Sequence, residues 1–267
     1  MKWIKRLLLA LLALLAGFFL LLAGFIIVDG LTAQSSSELA NVTYTDASGD
    51  ELHGYLAVPD GPGPHPAVLM IHEWWGMNES ITIMAEALAN EGYVVLAADG
   101  YRGNVTSQVP RALWLRLTTP EEQVFSDLDT GLDYLRSLEN VDTERVASMG
   151  FCFGGGHSLQ LGLRQSENLA LTVIYYGSLV TDPDLLRPLT AAQPVLGVFA
   201  EEDQTIFVEE VLEFEAALNS LDIDNQITIY PDVGHGFVTE TNFNQPGIAG
   251  DAWQEAVDFL ALNLQGQ

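Results

Sequence analysis

The chain has 267 residues, 48% of them apolar and 17% charged, with one cysteine and a formal charge of −26. That is enough apolar material for a single sizeable core. The lone cysteine excludes a disulfide framework and a cysteine-based zinc cluster. The acidic balance excludes nucleic acid as a partner, because phosphate binding needs clustered lysine and arginine.

Residues 7–28 form an uncharged run of 22 residues rich in Leu, Ala, Phe and Ile. As a helix rising about 1.5 Å per residue, the run spans roughly 33 Å, the thickness of a bilayer's hydrocarbon core. Lys2, Lys5 and Arg6 precede it and Asp29 follows. The positive-inside bias then predicts residues 1–6 as a cytoplasmic basic flank and 7–28 as a transmembrane signal anchor. Residues 29–37 are predicted as a polar linker, and residues 38–267 as one domain on the extracytoplasmic side. The alternative is secretion after cleavage of a signal peptide, although the run exceeds the usual 7–15 residues of such a segment. Without the three basic flank residues, seven basic residues face 36 acidic ones, a net charge of −29 with no lysine. Such a surface suits high salt, where screening relieves self-repulsion.

Beyond the linker, residues 41–45 and 52–58 alternate like strands joined by the turn at 46–50. Residues 59–66 read as a Pro/Gly loop. Residues 67–71 and 93–98 are continuous apolar runs, as in strands covered on both faces. Between them 80–91 has helical spacing, with Gly92 as its C-terminal stop. A helix is predicted over 120–138, with Thr119 as cap and Pro120 in the first turn. Residues 145–149 form a short strand running into Gly150, and helical sequence follows to about residue 165. Strands are predicted at 171–176, 195–200 and 226–230, and helices at 207–220 and 248–264. The alternation predicts an α/β fold with a mostly parallel central sheet and helices on both faces.

Cys152 lies between a predicted strand and a predicted helix, in Gly150-Phe151-Cys152-Phe153-Gly154-Gly155. This is the G-x-nucleophile-x-G pattern of a tight strand-to-helix turn. A lone cysteine is ordinarily a small buried hydrophobe. Here the flanking glycines and the strand–turn–helix setting point instead to a nucleophile, its thiolate favoured by the helix dipole. The amide of Phe153 would face a developing oxyanion. Asp203 follows the strand at 195–200, and His235 lies in the Gly-flanked loop Pro231-Asp232-Val233-Gly234-His235-Gly236-Phe237. The order Cys152, Asp203, His235 puts all three at carboxyl ends of strands, where open α/β sheets bind ligands. His235 would serve as base and acid, oriented by Asp203. Directly after the strand at 67–71 comes His72-Glu73-Trp74-Trp75-Gly76. Trp74 is expected to supply a second oxyanion amide. Glu73 is expected near the thiol, where a half-buried carboxylate can accept its proton. The tryptophans, with Phe237, suit the wall of an apolar pocket, and Trp75 is the expected lining residue.

On these residues the chain resembles the dienelactone hydrolase family of α/β-hydrolases over about residues 40–264. The resemblance implies an α/β-hydrolase fold and a Cys152-His235-Asp203 triad in which Glu73 helps generate the thiolate. It further implies hydrolysis of an ester or lactone of a small organic acid through an acyl-cysteine, with neither metal nor organic cofactor. In that family arginines hold the substrate carboxylate, one of them shortly after the triad histidine. Here Gly236, Phe237, Val238 and Thr239 occupy those positions. Arg102 is the candidate substitute, with Arg111 and Arg116 weaker candidates, and a surface salt bridge is the commoner role for each of the three. The expected partners are the small-molecule substrate and the membrane, and a monomer is expected. Two other functions fit the same residues: a non-catalytic small-molecule binder, or a thiol redox sensor lacking a resolving cysteine.

Overall fold

A computed structural model describes residues 2–189 and 193–265. The core is an eight-stranded sheet. Its strands are β1 (Val42–Thr45), β2 (Glu51–Ala57), β3 (His65–Ile71), β4 (Val94–Ala98), β5 (Val141–Phe151), β6 (Leu171–Tyr175), β7 (Val195–Ala200) and β8 (Asn225–Tyr230). In space they run β1-β2-β4-β3-β5-β6-β7-β8. β1–β2 and β2–β4 are antiparallel, and every pair from β4 to β8 is parallel. Each residue of β4, β6 and β7 is buried, which explains why Thr172 is the one polar side chain among them.

Helices cover both faces. α1 is Lys2–Thr32, α2 Glu79–Asn90, α3 Val109–Thr118, α4 Glu121–Ser137, α5 Phe153–Arg164, α6 Pro183–Leu186, α7 Val208–Ser220 and α8 Ile248–Leu260. The alternation of β3 shows how the core divides. Val68 and Met70 pack with α2 and α8, whereas Ala67, Leu69 and Ile71 pack with α4. Further along the second face, α6 and α7 close a third cluster around Ile174, Phe199 and Phe214. α2 starts where the Asn78 side chain accepts from the Ile81 amide at 3.3 Å and stops before Gly92, which has φ +99°.

Several boundaries differ from those expected. β5 begins at Val141 because its first half, partly exposed, lacks the apolar signature. Tyr176, with φ +38°, turns out of β6 rather than extending it. Thr119 does not cap α4: its amide donates to Leu115 at 2.9 Å and it terminates α3, an unanticipated helix. Pro120 occupies the cap position of α4 without a side-chain bond. The last predicted turn of α8 is a separate π-type turn at Ala261–Gln265.

α1 is long and apolar enough to cross a membrane or act as a signal sequence. The segment after it is less free than a linker. Ser36 is fully buried and donates to Asp99 Oδ2 at 2.5 Å, and its own amide donates to the Gly103 carbonyl at 3.2 Å.

Candidate active site

The strand-to-helix turn at Cys152 is as tight as its glycines suggest. Cys152 takes φ +54° and ψ −112°, a conformation that strains a residue bearing a Cβ. The turn is held by the Cys152 amide, which donates to the Tyr175 carbonyl at 2.9 Å. A Cβ on Gly150 would run into the Gly154 carbonyl, and one on Gly154 into the carbonyls of Ile71 and His72. Only glycine at both positions lets α5 start against the end of β3.

His235 and Asp203 reach this turn from the loops after β8 and β7. His235 Nε2 lies 3.0 Å from Cys152 Sγ, and its Nδ1 lies 2.7 Å from Asp203 Oδ2. The other oxygen of Asp203 accepts from the Thr205 amide and hydroxyl, both at 2.7 Å, and from the Ile206 amide at 3.1 Å. Burial pushes the Asp203 carboxyl up, but the hydrogen bonds from Thr205, His235 and Ile206 outweigh it and hold the group below its ordinary range. Asp203 is therefore an ionised acceptor that keeps the His235 proton on Nδ1 and leaves Nε2 facing sulfur. Thr205 Oγ1 also lies 3.0 Å from His235 Nδ1. No sequence pattern singled out Thr205; its place two residues after Asp203 in a polar turn was the available signal.

The thiol departs from the expected helix-stabilised thiolate. Burial, then the charge of Glu73, push the Cys152 thiol up to about 12. The amides of Phe153 and Trp74 both donate toward the sulfur and pull in the opposite direction without prevailing. These are the two amides expected to form an oxyanion hole, and both are directed at the sulfur. Glu73 is itself pushed up to about 7 by burial and by the nearby Glu240. Its loop is fixed by His72, whose Nδ1–H donates to the Glu73 carbonyl while Nε2 accepts from the Gly100 amide at 3.0 Å. Burial keeps His72 below its ordinary pKa, and this bonding pattern requires the neutral ring.

A cavity of about 690 Å³ opens over the sulfur, with Glu73, Trp75, Arg116, Tyr176 and His235 among its lining residues. Trp74 and Trp75 pack edge to face at 5.0 Å and form one apolar wall. Two expected lining residues are elsewhere. Phe237 turns inward between Tyr176 and Tyr230, with ring centroids 5.7 and 5.6 Å away. Arg102 is occupied by carboxylates: it forms a two-pronged pair with buried Asp127 at 2.8 and 2.7 Å and also reaches Asp50 and Asp46. Arg111 turns toward α1. Arg116, on the unanticipated α3, is the cation that borders the cavity among the described lining residues, its guanidinium 5.6 Å from the Phe153 ring.

The sequence model of the Dienelactone hydrolase family matches residues 52–264. A carboxymethylenebutenolidase-like protein of Yersinia pestis is 30% identical over 235 residues, which cover 82% of this chain and 86% of the relative. The crystal structure of a dienelactone hydrolase-like protein from Klebsiella pneumoniae superposes with a TM-score of 0.70 at 25% identity, covering 83% of this chain and 99% of that one. A dienelactone hydrolase-like promiscuous phosphotriesterase from metagenomic libraries gives 0.71 at 22% identity, over 83% and 96% of the two chains. With 213 residues inside the family match and the strand order described above, the chain belongs to the dienelactone hydrolase family of carboxylic ester and lactone hydrolases, built on the α/β-hydrolase fold.

Proposed function

We propose that the protein hydrolyses an ester or lactone of a small organic acid through an acyl-cysteine on Cys152. The reading rests on one observation, the continuous hydrogen-bonded line from Cys152 Sγ through His235 to Asp203 beneath an open cavity. In the resting site the thiol is protonated, since burial and Glu73 oppose its ionisation. Substrate brings a carbonyl oxygen to the amides of Phe153 and Trp74. The thiol proton passes to His235 Nε2 as sulfur bonds to the carbonyl carbon, and the oxygen takes up the negative charge between the two amides. Collapse breaks the carbon–oxygen bond of the ester, and the imidazolium returns its proton to the departing alkoxide. Water, deprotonated by His235, then attacks the acyl-cysteine, and sulfur leaves as the thiol after reclaiming that proton. Asp203 and Thr205 hold the ring through both halves. Glu73 sets the ionisation of sulfur, and Arg116 offers the cavity a cation for a substrate carboxylate.

The raised thiol argues against a redox sensor, which needs a thiolate at neutral pH. We further propose that α1 anchors the protein in a membrane, with residues 1–6 cytoplasmic and the hydrolase domain on the other side; the basic residues before the apolar run and Asp29 after it support this orientation.

The decisive comparison is wild type against Cys152→Ala on dienelactone and a series of short p-nitrophenyl esters. The substitution is expected to abolish turnover while leaving the thermal melt nearly unchanged. Full activity in that variant would overturn the nucleophile assignment.

A further inference from the structure

We infer that the outer face of α3 is a lipid-contacting surface that seats the hydrolase domain on the leaflet from which α1 emerges; the inference rests on the anchor reading of α1. α3 turns Ala112 and Leu115 into the core. At about 100° per residue, Leu113, Trp114 and Leu117 fall on the opposite side, and Val109 lies at its edge. They are 47%, 52%, 73% and 56% exposed. Apart from α1, ten large apolar side chains are exposed among the described residues, and four of them lie on this one ten-residue helix. Scattered apolar residues are ordinary on a soluble surface, whereas a contiguous helix face marks an interaction surface.

The position of α3 identifies what covers that face. α1 packs against α3, and Leu22, Ile26 and Asp29 are half-buried on one side of α1. Arg111 Nη1 donates to the Ile26 carbonyl at 3.2 Å, and its Nε faces Asp29 at 3.5 Å. Thr106 Oγ1 donates to Asp29 Oδ2 at 2.6 Å. Asp29 is the first charge after the apolar run, and Ile26 lies three residues before it, about 4.5 Å along the helix axis. α3 is thereby pinned at the level where hydrocarbon gives way to headgroups, the depth that tryptophan side chains prefer.

Charge agrees with that placement. An acidic surface is repelled by anionic lipid headgroups. Residues 100–120 contain neither aspartate nor glutamate, yet they hold three of the seven arginines outside the basic flank. The one apolar helix face beside the anchor therefore lies in a stretch that the chain has cleared of negative charge. Arg116, on the flank of the same helix, places the cavity rim next to that surface.

The test uses the full chain in phosphatidylcholine vesicles with a single fluorescent label on a cysteine, in a Cys152→Ser background. Label positions are Leu14→Cys in α1, Leu117→Cys in α3 and Leu212→Cys in α7, which covers the far end of the sheet and where Leu212 is also exposed. Nitroxide lipids carrying the quencher at headgroup or mid-chain depth report where each label lies. The expected result is quenching of 14 by mid-chain nitroxide, of 117 by headgroup-level nitroxide, and of 212 by neither. Adding Leu113→Glu should remove most of the quenching at 117. If 14 is quenched but 117 behaves like 212, the anchor stands and the lipid face falls. If 14 is unquenched, the anchor reading fails and takes this inference with it. A label at 117 that shifts to the blue without lipid quenching would mean that a second copy of the chain covers α3, which also overturns the proposal.

Discussion

Glu73 lies close to Cys152 and makes its thiol harder to ionise, while burial and Glu240 make Glu73 itself harder to ionise. The Glu73 carboxylate raises the thiol, and burial together with Glu240 raises Glu73 to about 7. The sign of a charge-removing substitution follows. In Glu73→Gln no negative charge faces the sulfur, so the thiolate is easier to form and the thiol pKa falls. Alkylation of Cys152 by iodoacetamide, followed against pH, should rise at lower pH in that variant than in wild type. An unchanged profile would remove Glu73 from control of the thiol. The same substitution bears on stability. Because the folded pKa of Glu73 lies above its ordinary value, its protonated form supports the fold below about pH 4.5, and that support is lost as pH rises toward 7. Glu73→Gln should therefore raise the melting temperature at pH 8 more than at pH 4.

At the scale of elements, the strand-to-helix turn concentrates the most demanding geometry of the molecule. Gly154 has the carbonyls of Ile71 and His72 where a side chain would begin, and these belong to β3 and the loop carrying Glu73. Backbone at that distance cannot rotate aside, unlike the end of a flexible side chain. Gly154→Ala should push α5 off the end of β3 and cost about 3 kcal/mol or more in chemical denaturation. Gly24→Ala in α1, where nothing lies within 4 Å, serves as the neutral comparison. If both variants unfolded at the same denaturant concentration, the close approach of α5 to β3 would be refuted. Elements also differ in how plainly they show in sequence. Apart from His65 and Thr172 these central strands carry no polar side chain because both faces are covered, so β3, β4, β6 and β7 were read nearly to the residue. α3 was missed because its apolar residues point both inward and outward, which blurs the single stripe expected of a surface helix.

For the molecule as a whole, the dominant electrostatic fact is a charge of −29 beyond the basic flank, with no lysine to offset it. The arginines that remain are largely committed; Arg102 alone faces Asp46, Asp50 and Asp127. Self-repulsion of this size weakens as the screening length falls from about 10 Å at 0.1 M salt to about 3 Å at 1 M. The melting temperature should therefore climb steadily over that range of sodium chloride. A flat response would show that the acidic surface does not burden the fold.

The order of the strands and of most helices, the apolar N-terminal run and the residue types of the site were legible in the chain, because each follows from local pattern. Periodicity reports burial, glycines report a tight turn, and the sequence Cys152, Asp203, His235 follows the order in which strands deliver their loops. Other features depended on how distant segments meet. Whether Arg102 or Arg116 borders the cavity turns on where a long side chain finds carboxylates, and Arg102 finds three. Phe237 packs inward because Tyr176 and Tyr230 are there to receive it. Thr205 joins Asp203 and His235 through a turn whose shape no pattern specified. The high pKa of Cys152 arises from burial and the charge of Glu73, and neither is a property of the cysteine's own neighbourhood in the chain. Local pattern is written into consecutive residues, but desolvation and charge pairing act through space between residues brought together by the fold.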